Sequence, residues 1–222
     1  MTEDRNDGDA GGQYASPPCF MHELEPGFRQ EAAADAQMAA DVARWRKAER
    51  ERLIARRLAV SAETRAAHAA VISEKLDHEI GALDGRAVGL YWPFRGEPDL
   101  RGWAGTVIER GGSIALPVVV AKATPLVFRN WRPGDRLEKG VWNIPIPAEG
   151  EPVQPDIVVA PVVGFDASCY RLGYGGGFYD RTLAAMPRKP RIIGVGYELQ
   201  RLPTIYPQDW DIPMDVVLTE AG

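Results

Sequence analysis

The segment Arg171 to Arg181 reads RLGYGGGFYDR, and four of the five residues from Gly173 to Gly177 are glycine. Upstream, DIVVAP (Asp156 to Pro161) is a short apolar run of the kind that forms a buried strand, and downstream FYDRTLAAM has helix-compatible composition. A strand, a glycine loop and a helix start in that order make an anion site. Glycines let backbone N–H groups turn toward a ligand, and the helix N-terminus adds partial positive charge. The bland alternative is an ordinary glycine-rich turn. Two familiar phosphate motifs are excluded. A P-loop needs GxxxxGK[ST], and neither Lys-Ser nor Lys-Thr follows these glycines; the dinucleotide fingerprint needs a third glycine where Phe178 stands.

Around this loop the chain alternates helix-like and strand-like segments. Glu31 to Ala59 contains no Pro or Gly and carries an imperfect apolar stripe of Val42, Trp45, Ile54 and Leu58. A dense basic set lies among them, and its default reading is a solvated face paired with Glu49 and Glu51. Arg46 and Arg50, spaced i,i+4, reach the same point in space. Ser61 can cap a second helix whose one face is Ala69, Ile72, Leu76 and Ile80, with Gly81 as the stop. A strand over Ala87 to Phe94 follows, then a helix opened by Glu97 and running to Arg110. Further strands are expected at Ser113–Pro117, Pro125–Asn130, Arg191–Tyr197 and Val216–Thr219, with a proline-rich loop, GVWNIPIP, at Gly140–Pro147. The pattern implies an α/β fold: a mostly parallel central sheet covered by helices on both faces, a Rossmann-like three-layer sandwich.

Residues 1–16 are polar and glycine-rich and read as a disordered tail; residues 17–38 form an N-terminal extension, and residues 39–222 the main domain. Within the extension, Cys19, Phe20, Met21, Leu24 and Phe28 suit either an arm that packs on the domain or a start-site extension. A length of 222 residues fits one domain. The net charge of −5 argues against nucleic acid as a partner, and no apolar stretch approaches the ~20 residues that span a bilayer. Two distant cysteines make no disulfide framework, so the cytoplasm is the expected compartment. His22, His68 and His78 form no metal pattern, and His68 and His78 read as surface residues. No Ser-His-Asp or Cys-His arrangement is visible.

The longer string GFDASCYRLGYGGGFYDR closely resembles the signature of the 5-formyltetrahydrofolate cyclo-ligases, and the resemblance extends from about Ala40 to the C-terminus. It includes Arg46 and Arg50 followed by Ser61, Glu63 and Arg65, the WNIP loop, Tyr197 with Gln200, and DWDIPMDVV near the end. The resemblance implies ATP-dependent closure of 5-formyltetrahydrofolate to 5,10-methenyltetrahydrofolate. The formyl oxygen would be phosphorylated, and N10 would attack the resulting iminium phosphate. ATP would be held by Arg46, Arg50, Arg171 and the loop residues Leu172, Gly173, Tyr174, Gly175, Gly176, Gly177, Phe178 and Tyr179. Folate would meet Trp92, Glu97, Trp142, Tyr174, Gly176 and Phe178. Arg171, Tyr179 and Arg181 would act on the transferred phosphoryl group, and Asp180 and Asp211 would bind Mg²⁺.

Taken singly, Glu97 and Asp180 also suit helix first turns and Asp211 a turn. Some members of the family carry basic residues where Tyr174 and Gly176 stand, which leaves Arg181 as the expected substitute. A monomer or weak homodimer is expected. Two other classes stay open: a catalytically weak folate-binding or regulatory relative, and a sugar-phosphate isomerase or CoA-transferase, for which no catalytic base is assigned.

Overall fold

A computed structural model describes residues 26–221, with side chains from residue 35. The chain divides into two compact units, 1–41 and 42–222. Of the first, the described part is helical backbone, with Gln37 donating to Asp41 one turn on. The expected tail and most of the apolar arm, Cys19 to Leu24 included, lie outside the described residues.

Four helices and a six-stranded sheet organise the second unit. Helix α1 (Pro26–Ala59) enters it, then α2 (Ala62–Ile80), β1 (Ala87–Gly89), α3 (Arg101–Glu109), β2 (Ser113–Val118) and β3 (Val127–Trp131) follow. Two small strands, β4 (Leu137–Lys139) and β5 (Pro145–Pro147), precede β6 (Ile157–Pro161). A hairpin of β7 (Gly164–Phe165) and β8 (Arg171–Leu172), then α4 (Phe178–Ala185), β9 (Arg191–Val195) and β10 (Val216–Leu218), complete the order. The sheet runs β10-β9-β6-β1-β2-β3, all parallel except β3, which pairs antiparallel with β2.

Alternation along the strands separates two cores. Ile157, Val159, Ile193, Ile114 and Leu116 meet Ile72 and Leu76 of α2 and Trp103 and Val107 of α3. Val158, Ala160, Ala115 and Ile192 turn to the other face and meet Leu183 of α4, Phe165 and Met214. The sheet is therefore covered on both faces, as the sequence pattern implies. Helix α2 also matches expectation: Ser61 Oγ accepts from the Thr64 N–H, and the four apolar residues of its stripe are its buried ones.

Other elements differ. The glycine loop does not follow β6 directly, because the β7–β8 hairpin intervenes and brings Arg171 in from the side. The first strand is short: it ends at Gly89, with the Leu90 N–H still donating to Ala115 O of β2. Helix α3 starts at Arg101, so Glu97 is not a helix first-turn acid. Leu58 is 52% exposed, whereas Leu53 is buried. His68 is half-buried, tilted against Tyr197.

Candidate active site

From β1 the chain passes through α3 to β2 on one side, and from β6 it passes through α4 to β9 on the other. The crossovers diverge between β1 and β6, and in an open parallel sheet the crevice beyond the strand ends at such a point is where ligands bind. A cavity of about 150 Å³ lies there. Its walls come from Tyr91 to Glu97 after β1, Pro161 at the end of β6, the loop with Trp142, and Arg171 to Asp180 around the glycines.

The glycine loop has the backbone of an anion cradle. Among the described residues, no N–H from Gly173 to Gly177 donates a hydrogen bond within the protein. The loop feeds α4 through Gly177, which has φ 61°, and Gly175 has φ 92°, values that a side chain would oppose. A Cβ at Gly177 would also stand 2.8 Å from Arg181 Nη1. Arg181 donates to Gly176 O, and its buried Nε has no partner. Arg181 thus lies against the glycine loop at Gly176 and Gly177. Leu172 differs from expectation: its side chain is buried with Leu53, Val163, Leu202 and Ile205, so only its backbone faces the loop.

Arg171 enters from β8. Its Nη2 lies 3.0 Å from Asp180 Oδ1, and its guanidinium stands 5.1 Å over the Tyr179 ring. Its Nη1 is buried without a partner, and so is the Tyr179 hydroxyl. Burial raises the Tyr179 pKa first, and the Glu97 charge raises it further against the pull of Arg171. Two unsatisfied polar groups in one cleft are costly unless a ligand pairs with them.

Helix α1 supplies the other cations along one face. Arg46, Arg50, Leu53 and Arg57 recur at i, i+4, i+7 and i+11, one stripe of a helix. Arg46 donates to Ile205 O at 3.1 Å and to Asp211 Oδ2 at 2.5 Å. Arg50 Nε donates to Gly173 O at 2.7 Å. Arg57, fully buried, donates to Arg95 O, to Val162 O and, at 2.6 Å, to Tyr174 Oη. Sequence reasoning missed Arg57 because patterning counts arginine as solvent-facing; its i+11 spacing from Arg46 was the available signal.

Glu97 is 5% exposed. Its Oε2 accepts from the Phe94 N–H at 2.9 Å and its Oε1 from the Tyr174 hydroxyl at 2.9 Å, with Arg57 Nη2 3.9 Å away. Desolvation raises its pKa to about 7, against the lowering effects of Arg57, the Phe94 N–H and Tyr174. The loop position where Tyr174 stands is thus reached by a guanidinium from α1. Around the mouth, Phe94 and Trp142 stack at 6.3 Å with planes 10° apart, and Tyr174 is tilted against both. Trp142 is 55% exposed, whereas Trp92 packs edge-on to Trp131. Phe94 and Tyr91 were not singled out from the sequence.

Asp180 Oδ1 accepts from the Ile212 N–H at 3.3 Å, so the head of α4 meets the turn that carries Asp211. Asp211 Oδ2 accepts from the Gln208 N–H and from Arg46. The other oxygen of each carboxylate has no hydrogen-bond partner among the described residues. No group of three His, Cys, Asp or Glu gathers there or elsewhere among them. A pair of carboxylates beside a phosphate cradle fits Mg²⁺, which takes one or two from protein and completes its shell with phosphate and water. No helix among the described residues is long and apolar enough to cross a membrane.

Comparisons with known proteins bear on this arrangement. A curated 5-formyltetrahydrofolate cyclo-ligase of Escherichia coli K12 is 32% identical over 141 residues, covering 60% of this chain and 78% of the relative. One from Mycolicibacterium smegmatis is 34% identical over 148 residues, covering 62% and 75%. The solved Aquifex aeolicus 5,10-methenyltetrahydrofolate synthetase superposes with a TM-score of 0.70 at 30% identity, covering 80% of this chain and 90% of that one. The Mycoplasma pneumoniae synthetase shares the fold at a TM-score of 0.66 and 22% identity, over 79% and 98%. The profile of the 5-formyltetrahydrofolate cyclo-ligase family matches residues 42–220, and this chain belongs to that family.

Proposed function

We propose that this protein closes 5-formyltetrahydrofolate to 5,10-methenyltetrahydrofolate with ATP, releasing ADP and phosphate. The N5-formyl group is an amide whose oxygen leaves poorly. Transfer of the γ-phosphoryl group to that oxygen makes it a phosphate leaving group; N10 then bonds to the formyl carbon, the C–O bond breaks, and the N10 proton is lost. Such a reaction needs positioning and charge neutralisation rather than a protein nucleophile.

The observation that carries this reading is the row of unpaired N–H groups from Gly173 to Gly177, facing a cleft with an unpaired guanidinium N–H of Arg171. These donors hold phosphate oxygens. Arg50 and Arg181 brace the loop through its own carbonyls and add positive charge behind it. Arg171 and the Tyr179 hydroxyl donate to the oxygen being phosphorylated. Glu97 accepts from the N–H edge of the pterin, and Trp142, Phe94 and Tyr174 cover its flat faces. Asp180 and Asp211 would hold Mg²⁺, whose charge offsets that of the phosphates. The cytoplasm is the proposed compartment.

Purified protein with 5-formyltetrahydrofolate and Mg-ATP tests the reading. Methenyltetrahydrofolate absorbance is expected to rise with one ADP formed per product. Binding of the folate with no ATP consumption would overturn it.

A further inference from the structure

Arg57 is the one charged side chain with no exposure at all among the described residues. It occupies the stripe of α1 beside Leu53, where an apolar side chain would fill the same space without a buried ion's desolvation cost. Its acceptors do not explain the charge. Nε donates to Arg95 O at 2.9 Å and Nη1 to Val162 O at 3.1 Å, both neutral carbonyls. Nη2 donates to Tyr174 Oη at 2.6 Å and to Phe94 O at 3.5 Å, and beyond the hydroxyl lies the Glu97 carboxylate, 3.9 Å from Nη2.

The direction of this chain of bonds is fixed by chemistry. A guanidinium only donates, so the Tyr174 oxygen accepts from it, and the phenol proton goes to Glu97 Oε1 at 2.9 Å in preference to Phe94 O at 3.4 Å. Each oxygen of Glu97 then has one donor, the phenol on Oε1 and the Phe94 N–H on Oε2. Both oxygens keep a lone pair for a ligand. The other ionisable groups around Glu97 are Tyr91 after β1, Tyr179 on α4 and Tyr197 after β9, and burial holds all three phenols neutral well above pH 7. Among the described residues, Arg57 of α1 is the cation whose charge acts on Glu97, at 3.9 Å.

We propose that Arg57 is a positioning residue: through the Tyr174 hydroxyl it keeps Glu97 a correctly aimed carboxylate, and so governs the folate half of the site but not the nucleotide half. The inference rests on the folate reading of Glu97 given above. The division is geometric. Arg50 and Arg46, the nucleotide-side cations, contact Gly173 O, Ile205 O and Asp211, none of which Arg57 touches.

The test uses intact protein labelled with carboxyl-¹³C glutamate, the Glu97 signal being assigned by its loss in Glu97→Gln. In Tyr174→Phe and in Arg57→Leu the Glu97 titration midpoint is expected to rise by about one pH unit or more. KM for 5-formyltetrahydrofolate at pH 7 should rise ~10-fold, the difference shrinking as pH increases, while KM for ATP stays within about twofold. Arg57→Lys, which keeps the charge but not the fork, should bring the midpoint back toward wild type and restore part of the folate KM. An unmoved midpoint in Tyr174→Phe, which removes one hydroxyl and tolerates any folding failure of Arg57→Leu, overturns the inference. An equal rise in KM for ATP does so too. Failure of the wild type to consume ATP would instead overturn the activity, and the carboxyl titration would still decide the role of Arg57.

Discussion

Arg46 and Asp211 lie 2.5 Å apart, with side chains only 9% and 8% exposed. The sequence assigns them to different ligands, a phosphate and a metal, yet without ligands they neutralise each other. Under the proposed reading, ATP phosphates and Mg²⁺ would have to share or replace this buried pair. Burying either charge alone is costly, so each residue holds the other in place.

The coupling can be measured. Arg46→Ala and Asp211→Asn should each destabilise the protein by ~3 kcal/mol in urea unfolding, because each leaves the partner buried and unpaired. The double variant should be less destabilised than the sum of the two by ~1–3 kcal/mol. Additivity within the error of the unfolding curves would show that the two charges do not depend on each other.

Arg50→Ala should raise KM for ATP by ~10- to 150-fold, the equivalent of losing a charge-assisted contact of about 1.5–3 kcal/mol, with little change in KM for folate. Arg50 braces the glycine loop at Gly173 O, so its loss also loosens the cradle. Initial-rate kinetics with each substrate varied against saturation of the other separates the two constants. A larger effect on folate would place Arg50 in the wrong half of the site.

The sheet and the loop were legible because their signals are local. Apolar runs such as IVVAP and RIIGV read directly as strands, and the glycine run as a loop, two of whose glycines, Gly175 and Gly177, take a φ that side chains oppose. The site face of α1 was legible only in part: Arg46 and Arg50 were picked out by their i,i+4 spacing and the family resemblance, and Arg57 was not. The helix's inward stripe is three arginines, of which Arg50 is half-buried, and one leucine, and a pattern scored on hydrophobicity sees a polar face and looks for the core elsewhere. Glu97 was singled out by the family resemblance at the opening of a helix it does not begin; its setting comes from Arg57 and Tyr174, 40 and 77 residues away in the chain. The β7–β8 hairpin escaped because two-residue strands carry no periodicity.

The proposed Mg²⁺ site, with Asp180 at the head of α4 and Asp211 in the late turn, predicts metal dependence. Turnover should stop in EDTA and return with Mg²⁺. Asp180→Asn should raise the Mg²⁺ concentration for half-maximal rate ~10-fold or more, in line with loss of a charged ligand oxygen. Asp180 also pairs with Arg171, so the rate at saturating Mg²⁺ should fall as well. Full turnover in EDTA would remove the metal from the reaction.

Glu97 should also write a pH dependence into stability. Its folded pKa is raised from 4.5 to about 7, and desolvation is the main cause. Between those values the folded state holds a proton that the unfolded state has lost, so stability falls as pH rises. The stabilisation is fully present below about pH 4.5, decreases from there, and is gone once pH has passed through about 7. With each pH unit between the folded and unfolded values worth ~1.4 kcal/mol, the whole change is roughly 3 kcal/mol. A guanidinium keeps its charge throughout this range, so Arg57 adds no slope of its own. Urea unfolding of the wild type and of Glu97→Gln, compared from about pH 5 to 8, isolates the effect. The wild type should lose stability relative to the variant as pH increases, since glutamine, although its single carbonyl oxygen can accept only one of the two bonds that Glu97 accepts, does not titrate. Parallel curves would mean that Glu97 ionises in the folded protein as easily as in the unfolded chain, and that burial between Tyr174 and the Phe94 N–H costs its carboxylate nothing.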